Sequence, residues 1–231
     1  MYLYDKLLER AATSQPVRVG LIGAGKFGSM FLSQVPTTPG LKVVAIADLR
    51  PDNARAACRG AGWPEALVEA THFTDDAFAM MASGAVDVVV EATGHPIAGI
   101  RHAQHAIANG LHIVMVNVEA DVLAGAALAE KARQAGSVYS MAYGDQPALT
   151  IEMVDWARST GFNVVAAGKG TKYLPIYHGS TPDTVWDHYG LTAAEAGAAG
   201  MNSQMFNSFL DGTKSALEMA AISNATGLSA P

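Results

Sequence analysis

Cysteine is scarce in this sequence: Cys58 is the only one among 231 residues. A single cysteine excludes an internal disulfide and any metal site built from several cysteines, and it fits a reducing compartment. Lysine and arginine form no run, and the formal net charge is -6. The basic surface of a nucleic-acid-binding protein is therefore missing, and we expect a small-molecule substrate and no nucleic acid as partner.

Long apolar stretches are absent too. The first 15 residues mix Asp5, Lys6, Glu9 and Arg10 among their apolar side chains, so they lack the uninterrupted apolar region of a secretory signal. No stretch reaches the roughly 18 apolar residues that a membrane-spanning helix needs. We expect a cytoplasmic protein that does not enter the membrane.

Strand and helix patterns alternate along most of the chain. The apolar segment Val17–Ile22 predicts a buried strand, and a helical pattern follows it to Gln34. Further strands are predicted at 41–47, 71–73, 86–91, 111–116 and 137–141. Helices are predicted at 2–12, 51–60, 96–109 and 121–134, and a further helix is predicted to begin at residue 75. Such alternation predicts right-handed crossovers and a parallel sheet.

A glycine turn, Gly23-Ala-Gly-Lys-Phe-Gly28, joins the first strand to its helix. In this context Gly23 permits a tight turn, Gly25 lets the backbone approach a pyrophosphate, and Gly28 lets the helix pack on the strand. The helix N-terminus adds N–H groups and a positive dipole end. The pattern predicts a dinucleotide site that includes Lys26 and Phe27.

The type of dinucleotide is left open by two neighbouring residues. Asp48 ends the second strand, 20 residues after Gly28, where its carboxylate would bind the adenosine ribose hydroxyls and repel the 2′-phosphate of NADP. Arg50 would instead pair with that phosphate. The sequence predicts NADP or NAD as cofactor.

A second element, Glu91-Ala-Thr-Gly-His-Pro96, follows the strand at 86–91. Ligands of open parallel sheets gather at the carboxyl ends of the strands. The small residues Ala92, Thr93 and Gly94 would let the nicotinamide ribose approach the backbone. This loop is therefore predicted to complete the cofactor site.

Three histidines near this loop are interpreted as structural. His95 lies beside glycine and proline and is expected in an exposed loop. His102 and His105 have a spacing that can hold a metal. Because Arg101 adjoins them and no carboxylate is near in sequence, we interpret them as a solvated helix face and predict no metal site.

The alternation weakens at Tyr143-Gly-Asp-Gln-Pro147. We place the domain boundary there: residues 1–146 form an NAD(P)-binding Rossmann domain with an N-terminal helix, and residues 147–231 form a partial substrate domain. A helix at 148–159 and a strand at 163–167 are predicted in the second. The fold class is α/β: a Rossmann-type parallel sheet followed by a smaller, partial α+β domain.

Segments 19–30, 116–121 and 207–227 resemble bacterial NAD(P)-dependent oxidoreductases related to homoserine dehydrogenase, a SAF-domain group with a deoxyxylulose-phosphate reductoisomerase-like member. The resemblance implies hydride transfer and a cofactor contact at Asn117. Directly after this asparagine, homoserine dehydrogenases have a lysine and the usual reductoisomerases have Lys-Glu. This chain has Val118-Glu119 at these positions. Glu119 matches the reductoisomerase pattern, but without the lysine neither mechanism transfers whole. The Asp-x-Glu metal motif of those reductoisomerases is absent.

The resemblance also implies the acid–base group. Asp211-Gly-Thr-Lys214 is similar to the Asp and Lys pair of homoserine dehydrogenases, with Lys214 exchanging a proton with the substrate oxygen and Asp211 orienting it. Lys169 and Lys172, in a glycine-rich loop, would hold a carboxylate or phosphate. A nearby cluster that includes Tyr177, Trp186 and Tyr189 is typical of a small-domain core or a homo-oligomer interface.

The leading hypothesis is an oxidoreductase that acts on the hydroxyl or carbonyl group of a small phosphorylated or acidic polyol-like substrate, including a deoxyxylulose-phosphate type of reductoisomerase. Homoserine dehydrogenase is the alternative enzyme, disfavoured by the missing lysine. A different class, a dinucleotide-binding sensor without turnover, stays open.

Overall fold

The computed structural model describes residues 2–171 and 174–229. The chain divides into two compact units, Met1–Tyr143 and Gly144–Pro231. This division lies three residues before the boundary placed after residue 146 by the sequence.

The first unit is built on a sheet of six parallel strands in the order β3-β2-β1-β4-β5-β6. The strands are β1 (Val17–Ile22), β2 (Leu41–Ala47), β3 (His72–Thr74), β4 (Val88–Glu91), β5 (His112–Met115) and β6 (Tyr139–Met141). The helices are α1 (Leu3–Ala12), α2 (Lys26–Gln34), α3 (Pro51–Gly60), α4 (Glu65–Glu69), α5 (Ala77–Ala82), α6 (Pro96–Ala108) and α7 (Val118–Gln134). The predicted Rossmann-type α/β fold is confirmed.

The sheet is buried on both faces, which is why its central strands are almost continuously apolar. Successive residues of β1 enter different core clusters: Leu21 packs with Leu32 of α2, and Ile22 packs with Val89 of β4. The strand order reverses between β1 and β4. Ligands of open parallel sheets bind at such a point, beyond the carboxyl ends of the strands.

Helix α7 begins at Val118, three residues before the predicted start. Asn117 is its cap, because the side-chain Oδ1 accepts a hydrogen bond from the Ala120 N–H at 3.1 Å. Asparagine is among the best helix caps. The cap holds Asn117 at the end of β5, beside the end of β4.

The second unit is helical in its described residues: α8 (Gln146–Ser159), α9 (Val185–Tyr189), α10 (Ala193–Ala198), α11 (Ser203–Leu210) and α12 (Thr213–Thr226), with a 3₁₀ turn at Pro175–Gly179. The α+β expectation for this unit is wrong, since the strand predicted at 163–167 does not form. The described part of the unit offers no second strand to pair with its backbone N–H and C=O groups. The segment, in which residues 164–167 are apolar, therefore stays irregular.

Two contacts organise this helical unit. The Arg158 guanidinium of α8 donates to the Thr226 carbonyl at the end of α12, at 2.8 Å. Trp186 is buried and packs against Phe206, with ring centroids 5.3 Å apart. The interpretation of the aromatic cluster as a small-domain core is confirmed for Trp186.

No described helix is long and apolar enough to cross a membrane.

Asp121, on α7, has a buried carboxyl group that is only 6% exposed. The Tyr139 hydroxyl donates to its Oδ1 at 2.8 Å. Burial raises the pKa of Asp121, and the tyrosine hydrogen bond offsets part of that rise. Because the folded-state pKa lies above the unfolded one, the stability from the neutral carboxyl is present at low pH and is lost as the pH rises through the folded pKa.

We expect Asp121→Asn to stabilise the protein at neutral pH by an amount of the order of 1 kcal/mol. The amide stays neutral and still accepts the tyrosine hydrogen bond. Thermal unfolding of both proteins should show a gain near neutral pH that vanishes in acid. Asp75→Asn, at an exposed carboxylate, is the control without this pattern. A gain that grows in acid would contradict the assignment.

Candidate active site

The glycine turn is clamped between the ends of two strands. Gly23 has a φ of +93°, and its N–H donates to the Ala47 carbonyl of β2 at 2.8 Å. A Cβ atom at Gly23 would lie 2.8 Å from the carbonyl oxygen of Ala92, just beyond β4. A Cβ at Gly28 would collide with the Gly23 carbonyl. The two glycines are therefore required by the close approach of the backbone.

Gly25 is different, because a Cβ atom there would meet nothing within 4 Å. It is exposed and caps α2, whose first hydrogen bond runs from the Ser29 N–H to the Gly25 carbonyl at 2.8 Å. The N–H groups of Lys26 and Phe27 lie in the first turn, where the helix itself offers no carbonyl group to accept their hydrogen bonds.

The charge at this helix start favours an anion. The first turn of α2 holds no acidic residue and no side-chain cap, and Lys26 adds a positive charge at the positive end of the helix dipole. A pyrophosphate fits such a site, and the open space over Gly25 leaves room for it. The residues present therefore fit a dinucleotide.

Asp48 links the glycine turn to the loop after β2. Its Oδ2 accepts a hydrogen bond from the Ala24 N–H and its Oδ1 from the Arg50 N–H, both at 2.9 Å. Each carboxylate oxygen has a second lone pair with which it can accept a hydroxyl hydrogen. The Asp48 carboxylate is half-buried, and Arg50 is exposed.

The loop after β4 and the cap of α7 are joined by hydrogen bonds. Ala92 continues the sheet by donating to the Ile22 carbonyl at 2.8 Å, while Thr93 and Gly94 are exposed. The Asn117 side chain is buried and donates from Nδ2 to the His95 carbonyl at 3.0 Å. The structure thus brings the predicted residues of this loop together with Asn117.

Beneath this loop lies Glu91, a fully buried residue that the sequence analysis did not single out. Its Oε1 lies 3.2 Å from Nδ1 of His102, which is itself buried. The solvated-face interpretation of His102 is wrong, because this side of α6 packs on the sheet. His105 is half-buried, and its ring packs edge-on against Phe78, with centroids 5.0 Å apart. Across residues 2–171 and 174–229, no three side chains of metal-binding type form a cluster.

The second unit contains a cleft of about 290 Å³. Its wall combines charged, polar and aromatic side chains from the start of α8, the segment before the 3₁₀ turn, α11 and α12. The lining residues are Asp145, Gln146, Lys169, Thr171, Phe209, Lys214, Ser215 and Glu218.

Glu218 of α12 connects the two lysines of this cleft. Its side chain is 1% exposed, its Oε1 lies 3.5 Å from the Lys214 ammonium, and its Oε2 forms an ion pair with Lys169. Both lysines were expected in the site from the sequence, whereas the glutamate was not. The available signal was the spacing of four residues from Lys214, which places both side chains on one helix face.

Asp211 plays a different part from the one expected beside Lys214. Its Oδ1 accepts a hydrogen bond from the Thr213 N–H at 2.8 Å, and its Oδ2 accepts one from Asn207 at 2.9 Å. The carboxylate thus fixes the start of α12, whereas the ion-pair partner of Lys214 is Glu218. Glu119 is half-buried in the first turn of α7, within the first unit. Lys172 lies outside the described residues.

Comparison with known families assigns both units. Residues 23–141 match the family described as homoserine dehydrogenase, NAD binding domain. The chain belongs to this family. Residues 144–231 match the catalytic domain of oxidoreductase DRL. An NAD-binding domain is therefore followed by an oxidoreductase catalytic domain.

Solved structures share similarity with part of the chain. A homoserine dehydrogenase from Thiobacillus denitrificans is 25% identical, over 55% of this chain and 29% of that one, with a TM-score of 0.46. A myo-inositol dehydrogenase from Lactobacillus casei, in complex with NAD(H) and myo-inositol, is 21% identical over 63% and 42%, with a TM-score of 0.49. The chain thus spans less than half the length of either. A search of curated proteins found no match.

Replacing Gly25 should separate folding from cofactor binding. A Cβ at this position meets no protein atom within 4 Å, so we expect Gly25→Val to fold like the wild type and to lose dinucleotide binding because the side chain occupies the pyrophosphate space. Calorimetric titration with NAD+ and NADP+ measures this. Gly60→Val, at another position with open space, should bind normally. Unchanged affinity of folded Gly25→Val for both dinucleotides would refute the site.

Proposed function

We propose that this protein is an NAD(P)-dependent oxidoreductase that moves a hydride to or from the hydroxyl or carbonyl group of a small polar substrate. The observation that carries the proposal is the pairing of two sites in one chain. One is the anion-accepting start of α2, with Asp48 beside it. The other is the cleft that contains Lys214, Lys169 and Glu218.

The first unit would hold the dinucleotide. Its pyrophosphate would bind over Gly25 at the N–H groups of Lys26 and Phe27, and the adenosine ribose would bind Asp48. The nicotinamide ribose would meet the exposed backbone of residues 92–94. When bound, NAD(P) supplies or accepts the hydride.

The cleft would supply the proton. Reduction of a carbonyl leaves an alkoxide that must be protonated, and oxidation requires the reverse transfer. Lys214 is proposed as the group that exchanges this proton, held in place by its ion pair with Glu218. Glu119, which matches the glutamate of the reductoisomerase pattern, is kept as a further proposed catalytic residue.

The substrate is proposed to carry a phosphate or carboxylate. In the cleft, two ammonium groups share one buried carboxylate, and both are N–H donors of the kind that bind a phosphate or carboxylate. Lys172 follows in the same segment of sequence. A deoxyxylulose-phosphate type of substrate fits this description.

Homoserine dehydrogenase activity is the alternative, favoured by the family of the NAD-binding domain. Val118 argues against it, since the lysine of the resembled motif is missing there. Assays of the full-length protein with deoxyxylulose phosphate plus NADPH, and with homoserine plus NAD+ or NADP+, compare the two enzymes. Dinucleotide binding without turnover on either substrate would favour the sensor hypothesis.

Cofactor choice should depend on Asp48. We expect Asp48→Ala to shift preference toward NADP, because it removes the repulsion between this carboxylate and the 2′-phosphate. Paired titrations with NAD+ and NADP+ give the ratio of the two affinities. Asp52→Ala, at an exposed carboxylate of the following helix, is the control with an unchanged ratio. A shift toward NAD would show that Asp48 does not face the ribose.

Lys214 should matter for turnover and not for cofactor affinity. We expect Lys214→Met in the full-length protein to lower turnover by about 10² to 10⁴, because methionine is similar in length and carries no proton. The affinity for NAD(P)H should stay near that of the wild type. Lys131→Met, on the exposed surface of α7, controls for loss of a positive charge. Near-normal turnover of Lys214→Met would assign the proton to another group.

A further inference from the structure

Glu91 occupies a costly position for a carboxylate. It is the last residue of β4 and is 0% exposed. Burying a charged group costs several kcal/mol unless hydrogen bonds replace its water. Here Oε1 accepts the Thr93 hydroxyl hydrogen at 2.5 Å and lies 3.2 Å from His102 Nδ1, whereas Oε2 has no hydrogen-bond partner within the described part of the chain. An apolar side chain would satisfy the core better, so the carboxylate must serve the groups that it holds.

Thr93 transmits this buried charge to the surface. Its single hydroxyl hydrogen is donated to Glu91, so the oxygen lone pairs are left to accept hydrogen bonds. They accept hydrogen bonds from the His95 N–H at 3.3 Å and from Asn117 Nδ2 at 3.5 Å. The carboxylate therefore fixes the direction of the Thr93 hydroxyl group, and that hydroxyl joins residues 93–95 to Asn117.

This network lies where a dinucleotide would end. The loop follows β4, which pairs with β1, and its Ala92 carbonyl approaches Gly23 of the glycine turn. With the pyrophosphate over α2, the second ribose would lie toward the end of β4, at the reversal of strand order.

We propose that Glu91 is a positioning residue for the nicotinamide ribose, acting through Thr93. The proposal rests on the proposed function, because it assumes that this unit binds a dinucleotide. Glu91 is too deeply buried to touch the ligand. Its effect is to hold, through the Thr93 hydroxyl, the loop backbone in the arrangement that receives the ribose.

The test compares ligands that share the adenosine diphosphate portion and differ in whether they carry the second ribose. NAD+ and ADP-ribose both carry the second ribose, whereas ADP stops at the pyrophosphate. We expect Glu91→Gln to weaken NAD+ and ADP-ribose by about tenfold, the effect of one well-placed hydrogen bond, and to leave ADP unchanged. Calorimetry gives all three affinities. If the wild type prefers NADP+, the 2′-phosphorylated series replaces these ligands.

Two substitutions at Thr93 test the route. Thr93→Val removes the hydroxyl group at nearly constant volume and should reproduce the loss, while Thr93→Ser keeps the hydroxyl and should bind like the wild type. In the double variant Glu91→Gln with Thr93→Val, the two losses should not add, since the residues act through one hydrogen bond. Additive losses would overturn the proposed route.

Gly99→Ala provides an independent approach should Glu91→Gln fail to fold. A Cβ at Gly99 would lie 2.8 Å from Asn117 Nδ2, 2.9 Å from the Ala120 Cβ and 3.1 Å from Glu91 Oε2, so alanine disturbs the network from α6. It should weaken NAD+ and ADP-ribose relative to ADP. Equal losses for all three ligands, or none, would overturn the role of Glu91. Failure of the wild type to bind either dinucleotide would overturn the proposed function itself, and this inference with it.

Discussion

The close approach of the turn after β1 to the end of β4 is the constraint on which the first unit depends. With only hydrogen atoms on the Gly23 Cα, the turn reaches the Ala92 carbonyl, and α2 can begin directly above the reversal of strand order. Helix start, Asp48 and the loop at 92–95 then lie along one edge of the sheet. The path of the backbone therefore sets the positions of all three.

Each unit also buries a glutamate close to its candidate site. Glu91 lies under the loop after β4, and Glu218 lies between two lysines of the cleft. Neither is explained by core packing, since buried charges are retained only where other groups compensate them. In both places the carboxylate contacts polar groups that are themselves more exposed, so the groups proposed to face a ligand have a rigid support.

The sequence predicted the first unit well because its signals are local. Strands β1 and β2 and helix α3 have the predicted bounds, as expected where apolar runs, glycine and proline delimit each element. What it missed depends on tertiary neighbours. The run at 163–167 lacks a pairing strand, His102 is buried because α6 turns this face to the sheet, and Glu218 gains its meaning from Lys169, which lies 49 residues earlier. The glycine turn was therefore predictable, whereas the ion pair between Glu218 and Lys169 was not.

We expect a bound dinucleotide to span the edge from α2 to the loop after β4. Backbone amide NMR of the isotopically labelled protein, titrated with NAD+ or NADP+, tests it most directly. The largest changes in chemical shift should fall on Lys26, Phe27, Thr93 and Gly94, with smaller ones on the far side of the sheet. Changes confined to other surfaces, or none at saturating dinucleotide, would contradict it.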